Sequence, residues 1–130
     1  MFQTPMISFI IPGKPQPKQR PRVTIKGTYT PQATVDYERL MGWKFREVYK
    51  GQPLTTPIKM TIRQFYKLPK KTKYKPGDWH TQRPDKSNVT KAIEDGLNGI
   101  AFADDSQVCF TVDTKQWATE GYVIVEIEEV

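Results

Sequence analysis

Cysteine and histidine are almost absent from this sequence, which holds one of each, Cys109 and His80, in 130 residues. A single cysteine excludes a disulfide framework and a cysteine-based zinc site, and a single histidine excludes a histidine-rich metal centre within one chain. No apolar run approaches the ~20 residues needed to cross a membrane. Met1 to Pro12 has no charged leading region and soon meets Lys14, Lys18 and Arg20, so no secretory signal is expected. Internal repeats and low-complexity tails are missing as well. What is present suffices for a core: three Trp, six Tyr and six Phe accompany the aliphatic residues. A chain of this length is expected to form one domain over residues 1–130. It can bury roughly two-thirds of its unfolded surface without help from a metal or a disulfide.

The net charge of +6 hides an asymmetry. Residues 1–91 carry 19 Lys and Arg against 5 Asp and Glu, whereas residues 92–130 carry only Lys115 against 9 acids. Such a division suggests a surface for a polyanion beside an acidic feature. Pairing between the two regions accounts for part of it but leaves the basic excess unexplained.

Along the chain, Met6–Ile11 is apolar and β-branched and stops at Pro12-Gly13, which predicts a buried strand. Five prolines between Pro12 and Pro31 predict loop over residues 13–31, including the basic stretch from Lys14 to Arg22. Thr34–Tyr49 reads as a helix, with Thr34 as its cap, Asp36 in the first turn, and Val35, Leu40, Trp43 and Val48 on its apolar face. Apolar residues at 58, 60 and 62 predict a half-buried strand over 58–66. Residues 67–84 form a second basic loop. A second helix is predicted from Ser87 to Asn98, with Val89, Ile93 and Leu97 facing the core and Gly99 closing it. Two strands, near Val108–Trp117 and Tyr122–Glu128, are expected to meet through a turn at Glu120-Gly121. The order is β-α-β-α-β-β. It predicts an α+β domain with two main helices and a mixed or antiparallel sheet.

The densest polar grouping is Arg83 to Lys91. At ~100° per residue, Asn88, Lys91 and Asp95 share one face of the second helix. Asp85 and Ser87 sit at its mouth, and Asp104-Asp105 stands just before the next strand. Aspartates without cysteine and with one histidine suit Mg²⁺ or Mn²⁺, hard cations that prefer oxygen. Such ions polarise phosphodiesters and acidify bound water. Lys91 is placed to stabilise charge on the phosphate or its leaving oxygen. Arg20, Arg22, Lys70, Lys71, Lys73, Lys75 and Arg83 are candidates to hold backbone phosphates. Each feature also has a structural reading: Asp85 or Ser87 as a helix cap, Asp104-Asp105 as a polar turn, Lys91 and Asp95 as a surface pair, His80 as a loop or core residue, Cys109 as a buried strand residue. Trp79 is a candidate to stack on bases, or packs on its own loop.

These residues resemble the RusA family of Holliday-junction resolvases. The family's stretch Pro-Asp-x-Asp-Asn-x-x-Lys, followed by Asp-x-Leu-Asn-Gly and Asp-Asp-x-Gln-Val, reads here as Pro84-Asp85-Lys86-Ser87-Asn88-Val89-Thr90-Lys91, Asp95-Gly96-Leu97-Asn98-Gly99 and Asp104-Asp105-Ser106-Gln107-Val108. Ile11 to Pro15, Lys18 to Arg22 and Tyr29-Thr30-Pro31 resemble the phage-type branch. The resemblance implies a RusA-like fold and a homodimer that binds four-way DNA junctions, each subunit nicking one strand in a Mg²⁺-dependent reaction. It implies a cytoplasmic protein of a bacterium or a phage, acting in recombination and repair. By position, Asp85 and Asp105 would be catalytic metal-binding carboxylates and Lys91 the catalytic lysine. Asn88 and Asp104 would support them, with Asp95 nearby.

One position departs from the pattern: Ser87 stands where the family has a second Asp. Three consequences are open. Ser87 reaches the metal through water, Asp104 or Asp95 compensates, or metal affinity and activity fall. The last leads to a second reading, a non-catalytic protein that binds branched DNA. A third, a small RNA-binding protein, fits the charge but gives Asp85, Asp104 and Asp105 no role.

Overall fold

The computed structural model describes residues 6–130. Its elements run β1 (Ile7–Pro12), β2 (Arg22–Thr24), β3 (Gly27–Tyr29), α1 (Gln32–Val48), β4 (Ile58–Lys67), α2 (Lys86–Leu97), a single 3₁₀ turn Asp105–Gln107, β5 (Val108–Ala118) and β6 (Tyr122–Glu129). The α+β expectation holds. β1, β6, β4 and β5 form one mixed sheet in that order. β6 is antiparallel to both β1 and β4, while β5 runs parallel to β4. The reading over Met1–Pro12 falls partly outside the described residues.

The period of two in β4 sends Ile58, Met60 and Ile62 to one face, all fully buried. Val123, Val125 and Ile127 of β6 and Phe9 and Ile11 of β1 extend that face. Tyr37, Met41 and Phe45 of α1 and Val89, Ile93 and Leu97 of α2 cover it. Each fully buried aliphatic side chain on α2 contributes about 1.5–3 kcal/mol to holding the helix down. The helices touch closely because Gly96 lacks a side chain: a Cβ there would lie 2.9 Å from Glu38 O and from Met41 Cβ. Gly99, with φ +79°, turns the chain out of α2 as expected.

Several expectations are corrected. β5 and β6 make no hairpin, because β4 lies between them. Thr119–Gly121 must therefore step across two strand spacings, about 9.6 Å, which a short extended link can span. The predicted loop 13–31 contains the ribbon of β2 and β3. α1 starts two residues early, so Thr34 is buried inside it and accepts a hydrogen bond from Gln19 N–H instead of capping it. Its buried stripe is Tyr37, Met41 and Phe45, while Trp43 and Val48 face solvent. Cys109 is exposed.

The parallel pairing of β4 and β5 has a functional consequence. Parallel neighbours need a long crossover. That crossover contains the second basic loop, α2 and the Asp104-Asp105 turn.

Candidate functional site

Asp85 occupies the cap position of α2 in extended conformation, but its side chain makes no capping hydrogen bond. Its carboxylate is exposed and is not used by the helix. The peptide bond Arg83–Pro84 before it is cis. Lys115, on β5, donates from Nζ to the carbonyls of Gln82 and Pro84 at 2.5 and 2.6 Å. Burial holds the Lys115 ammonium below its usual pKa, and the nearby Asp85 carboxylate opposes that shift. Lys115 thus fixes the chain immediately before Asp85.

Asp104 and Asp105 have different tasks. Asp104 caps the 3₁₀ turn, accepting from Ser106 N–H at 3.1 Å and from the Ser106 hydroxyl. Those bonds hold its carboxyl below the usual range. Gln107 completes the capping box by accepting from Asp104 N–H at 2.8 Å, and donates to the carbonyls of Leu54 and Thr56. The turn is therefore pinned to the chain before β4, and it presents Asp105 toward α2.

There Asp105 faces Glu94, a half-buried carboxyl that sequence reasoning missed. Burial first, then the Asp105 and Asp113 carboxylates, push Glu94 above the usual carboxylate range, while Lys91 opposes. Asp113, on β5, was missed as well. Burial raises it, and Thr90 and Lys86 oppose. The Thr90 hydroxyl leans toward this carboxyl, though neither it nor Asp113 Oδ1 completes a hydrogen bond. A signal for Glu94 was available: Ser87, Lys91 and Glu94 are spaced i, i+4 and i+7, one stripe of α2. Nothing in the sequence alone marked Asp113, whose proximity depends on the parallel register of β5.

Asp95 is an ion-pair hub: Lys18 Nζ approaches it to 2.9 Å and Lys91 Nζ to 3.5 Å. Lys18 also pairs with Glu38 of α1, so one ammonium joins both helices. Asn88 and Ser87 are exposed, and the Asn88 carbonyl accepts from Lys18 N–H at 2.8 Å. Among the described residues, no three Asp, Glu, His or Cys side chains are grouped as a ready-made metal cage.

Both basic loops are tied to this seam between α2 and β5. Lys18 and Gln19 bond to Asn88 and Thr34, anchoring the segment that leads to exposed Arg20 and Arg22. Gly77, Asp78 and His80 exchange backbone hydrogen bonds with Lys115 and Trp117, so the second loop runs along β5. Lys70, Lys71, Lys73, Lys75 and Arg83 are all exposed. Trp79 is 63% exposed, while His80 is buried.

The endodeoxyribonuclease RusA family model matches residues 12–128, nine-tenths of the chain. The chain belongs to the RusA endodeoxyribonuclease family. It is 27% identical to the uncharacterized protein YqaN of Bacillus subtilis (strain 168), over 95% of this chain and 96% of that protein. It is 29% identical to the crossover junction endodeoxyribonuclease rusA of Lactococcus phage r1t, over 57% of this chain and 56% of the phage protein. The RusA match runs from the last residue of β1 to within one residue of the end of β6, and so includes Asp85, Lys91, Asp105 and both basic loops. Among the described residues no helix is long and apolar enough to cross a membrane.

Proposed function

We propose that this RusA-family protein is a Mg²⁺-dependent, structure-selective endodeoxyribonuclease, with Mn²⁺ as a substitute, that resolves four-way junctions by paired nicks as a homodimer. Recombination and repair in the cytoplasm are the setting this activity suits. The observation that carries the reading is the α2–β5 seam. The Asp85 carboxylate, unused by the helix, and the Asp105 turn both border it, with Glu94 beside Asp105 and two exposed basic loops tied alongside.

The donors suit a hard cation, since all are oxygens and the charged ones are carboxylates. Asp105 and Asp113 act on Glu94 as like charges, which a cation would relieve. Mg²⁺ keeps several waters and is commonly held by one or two carboxylates together with substrate phosphates, not by a finished protein cage. Asp85 and Asp105 are the residues that would hold it, with the Ser87 hydroxyl and Asp104 beside them. Bound there, the ion would polarise the scissile phosphodiester and acidify an attacking water.

The chain's own groups do the rest. Lys91 is 57% exposed at its side chain, and its partner Asp95 is shared with Lys18. Lys91 can therefore swing to the phosphate and stabilise charge on the leaving oxygen without leaving Asp95 unpaired. Lys115 keeps Asp85 in place through the Pro84 carbonyl. Glu94 and Asp113 restore to the seam the negative charge that Ser87 does not supply. Arg20, Arg22, Lys70, Lys71, Lys73, Lys75 and Arg83 hold flanking phosphates. A homodimer matches the two-fold symmetry of a junction.

The test is incubation with a labelled four-way junction and Mg²⁺ or Mn²⁺. Symmetric nicks are expected, and their loss by a hundredfold or more in Asp85→Asn with junction binding retained supports the mechanism. Tight junction binding with no nicks at any metal concentration overturns it and leaves a non-catalytic binder, in which Ser87→Asp is the variant to assay for gained cutting.

A further inference from the structure

β1, β4 and β5 all point their carboxyl ends to the same edge of the sheet, and a cleft of about 470 Å³ opens there. Its lining includes Tyr66, His80 and Trp117, with His80 stacked on Tyr66 and tilted against Trp117. The Tyr66 and His80 ring centroids are 4.1 Å apart, and those of His80 and Trp117 4.3 Å. Lys14, Lys67 and Arg83 also line it, all exposed and none ion-paired among the described residues.

Two polar atoms here lack partners. His80 is 7% exposed and Trp117 5%, yet His80 Nδ1 and Trp117 Nε1 make no hydrogen bond. Buried polar atoms without partners are rare, because each costs about 1–3 kcal/mol. By contrast the Tyr66 hydroxyl is satisfied, donating to Gln64 Oε1 at 2.7 Å. A floor of aromatic ring edges with a cationic rim selects against a purely apolar ligand, which leaves the cations unanswered. It also selects against a bare anion, which has no use for the rings. It matches a nucleobase with its phosphate: a π face and a negative charge in one unit.

The cleft adjoins the candidate nuclease site through the chain itself. Gln82 and Arg83 line it, and Asp85 follows two residues after Arg83. Lys115 clamps the carbonyls of Gln82 and Pro84 and lies 5.8 Å over the Tyr66 ring. We propose that this cleft receives one unpaired nucleotide of the DNA strand next to the cut, its base against His80 and Trp117 and its phosphate against Lys14, Lys67 and Arg83. The source of the nucleotide rests on the nuclease reading, but the pocket's chemistry does not. The pocket would favour junctions and opened duplexes, where a base can leave its stack at low cost.

The Trp117 indole N–H resonance of the full chain, assigned by its disappearance in Trp117→Phe, reads occupancy directly. Probes are a short oligothymidylate, a fully paired hairpin duplex, thymidine 5′-monophosphate and inorganic phosphate. The single strand is expected to shift Trp117 strongly, the mononucleotide weakly, and duplex and phosphate hardly at all. Lys67→Glu, a change on the exposed rim, is expected to weaken the single-strand titration about tenfold, and serves if Trp117→Phe does not fold. Equal shifts with duplex and single strand, or none with either, overturn the pocket. A junction that is nicked while Trp117 stays unmoved by single strand sinks the pocket and leaves the nuclease standing. A Trp117 shift without any nicking does the reverse.

Discussion

In the proposed mechanism, Glu94 is the residue that answers Ser87. The motif places a hydroxyl where an acid is expected, and the fold sets Glu94 on the same stripe of α2, facing Asp105 and Asp113. Glu94→Gln is expected to lower Mg²⁺ affinity about tenfold, within the range for groups that support metal ligands. Isothermal titration of the free protein with Mg²⁺ checks this without relying on cleavage. His80 gives the second test at this scale. Burial first, then Lys115, hold its pKa below the ordinary 6.5. The unfolded chain therefore binds a proton near pH 6.5 that the folded chain refuses, so His80 contributes stability above that pH that is lost as pH falls through 6.5 and below. His80→Gln is expected to lessen the drop in melting temperature between pH 7.5 and 5.5, and an unchanged drop would show that His80 titrates freely.

At the scale of elements, the position of α2 decides whether the site exists. Gly96 lets it approach α1, and Lys18 joins Glu38 to Asp95 across the contact. Gly96→Ala forces a Cβ against backbone atoms, and overpacking of this kind costs about 1–3 kcal/mol. Urea denaturation is expected to show that loss, with nicking falling as α2 tilts Asp85 and Lys91 out of line. Much of this element was legible beforehand. Val89, Ile93 and Leu97 at i, i+4 and i+8 fixed its buried face, and the spaced motif marked Asp85, Lys91 and Asp105. α1 was harder, because Trp43 and Val48 are apolar yet face solvent, while Tyr37 supplies the core. Hydrophobic character alone does not say which of two adjacent stripes the sheet covers. The hairpin expected at Glu120-Gly121 failed for a related reason: turn chemistry shows where a chain reverses, not whether another strand lies between the two arms. Asp113 became visible only with that register.

At the scale of the whole molecule, the charge asymmetry resolves into geometry. The basic loops are fastened to α2 and β5, and the acids they flank include Asp105, Glu94 and Asp113. Pairing between basic and acidic regions is real but local, seen in Lys18 with Glu38 and Asp95 and in Arg63 with Glu126 at 2.9 Å. Lys70, Lys71, Lys73 and Lys75 are exposed and make no ion pair among the described residues. Junction affinity is expected to fall steeply with salt, and each lysine of this loop that holds a phosphate adds about 0.9 to the log–log slope. Replacing all four by Ala and measuring binding by anisotropy from low to high salt is expected to flatten the slope by roughly that amount per contact. An unchanged slope would place the DNA elsewhere.

The order of the sheet has one more consequence, for the moment of synthesis. Tyr122–Glu129 emerges from the ribosome after every residue of the site, yet it occupies an inner position, bonded to β1 on one side and β4 on the other. Until it arrives, the first strand has no neighbour in the sheet, and Val123, Val125 and Ile127 are missing from the core that α1 and α2 cover. A nascent or prematurely terminated chain therefore holds the carboxylates and lysines without the scaffold that aligns them. If the proposed activity holds, competence to cut would wait for this last strand, and incomplete copies would leave the DNA around them intact.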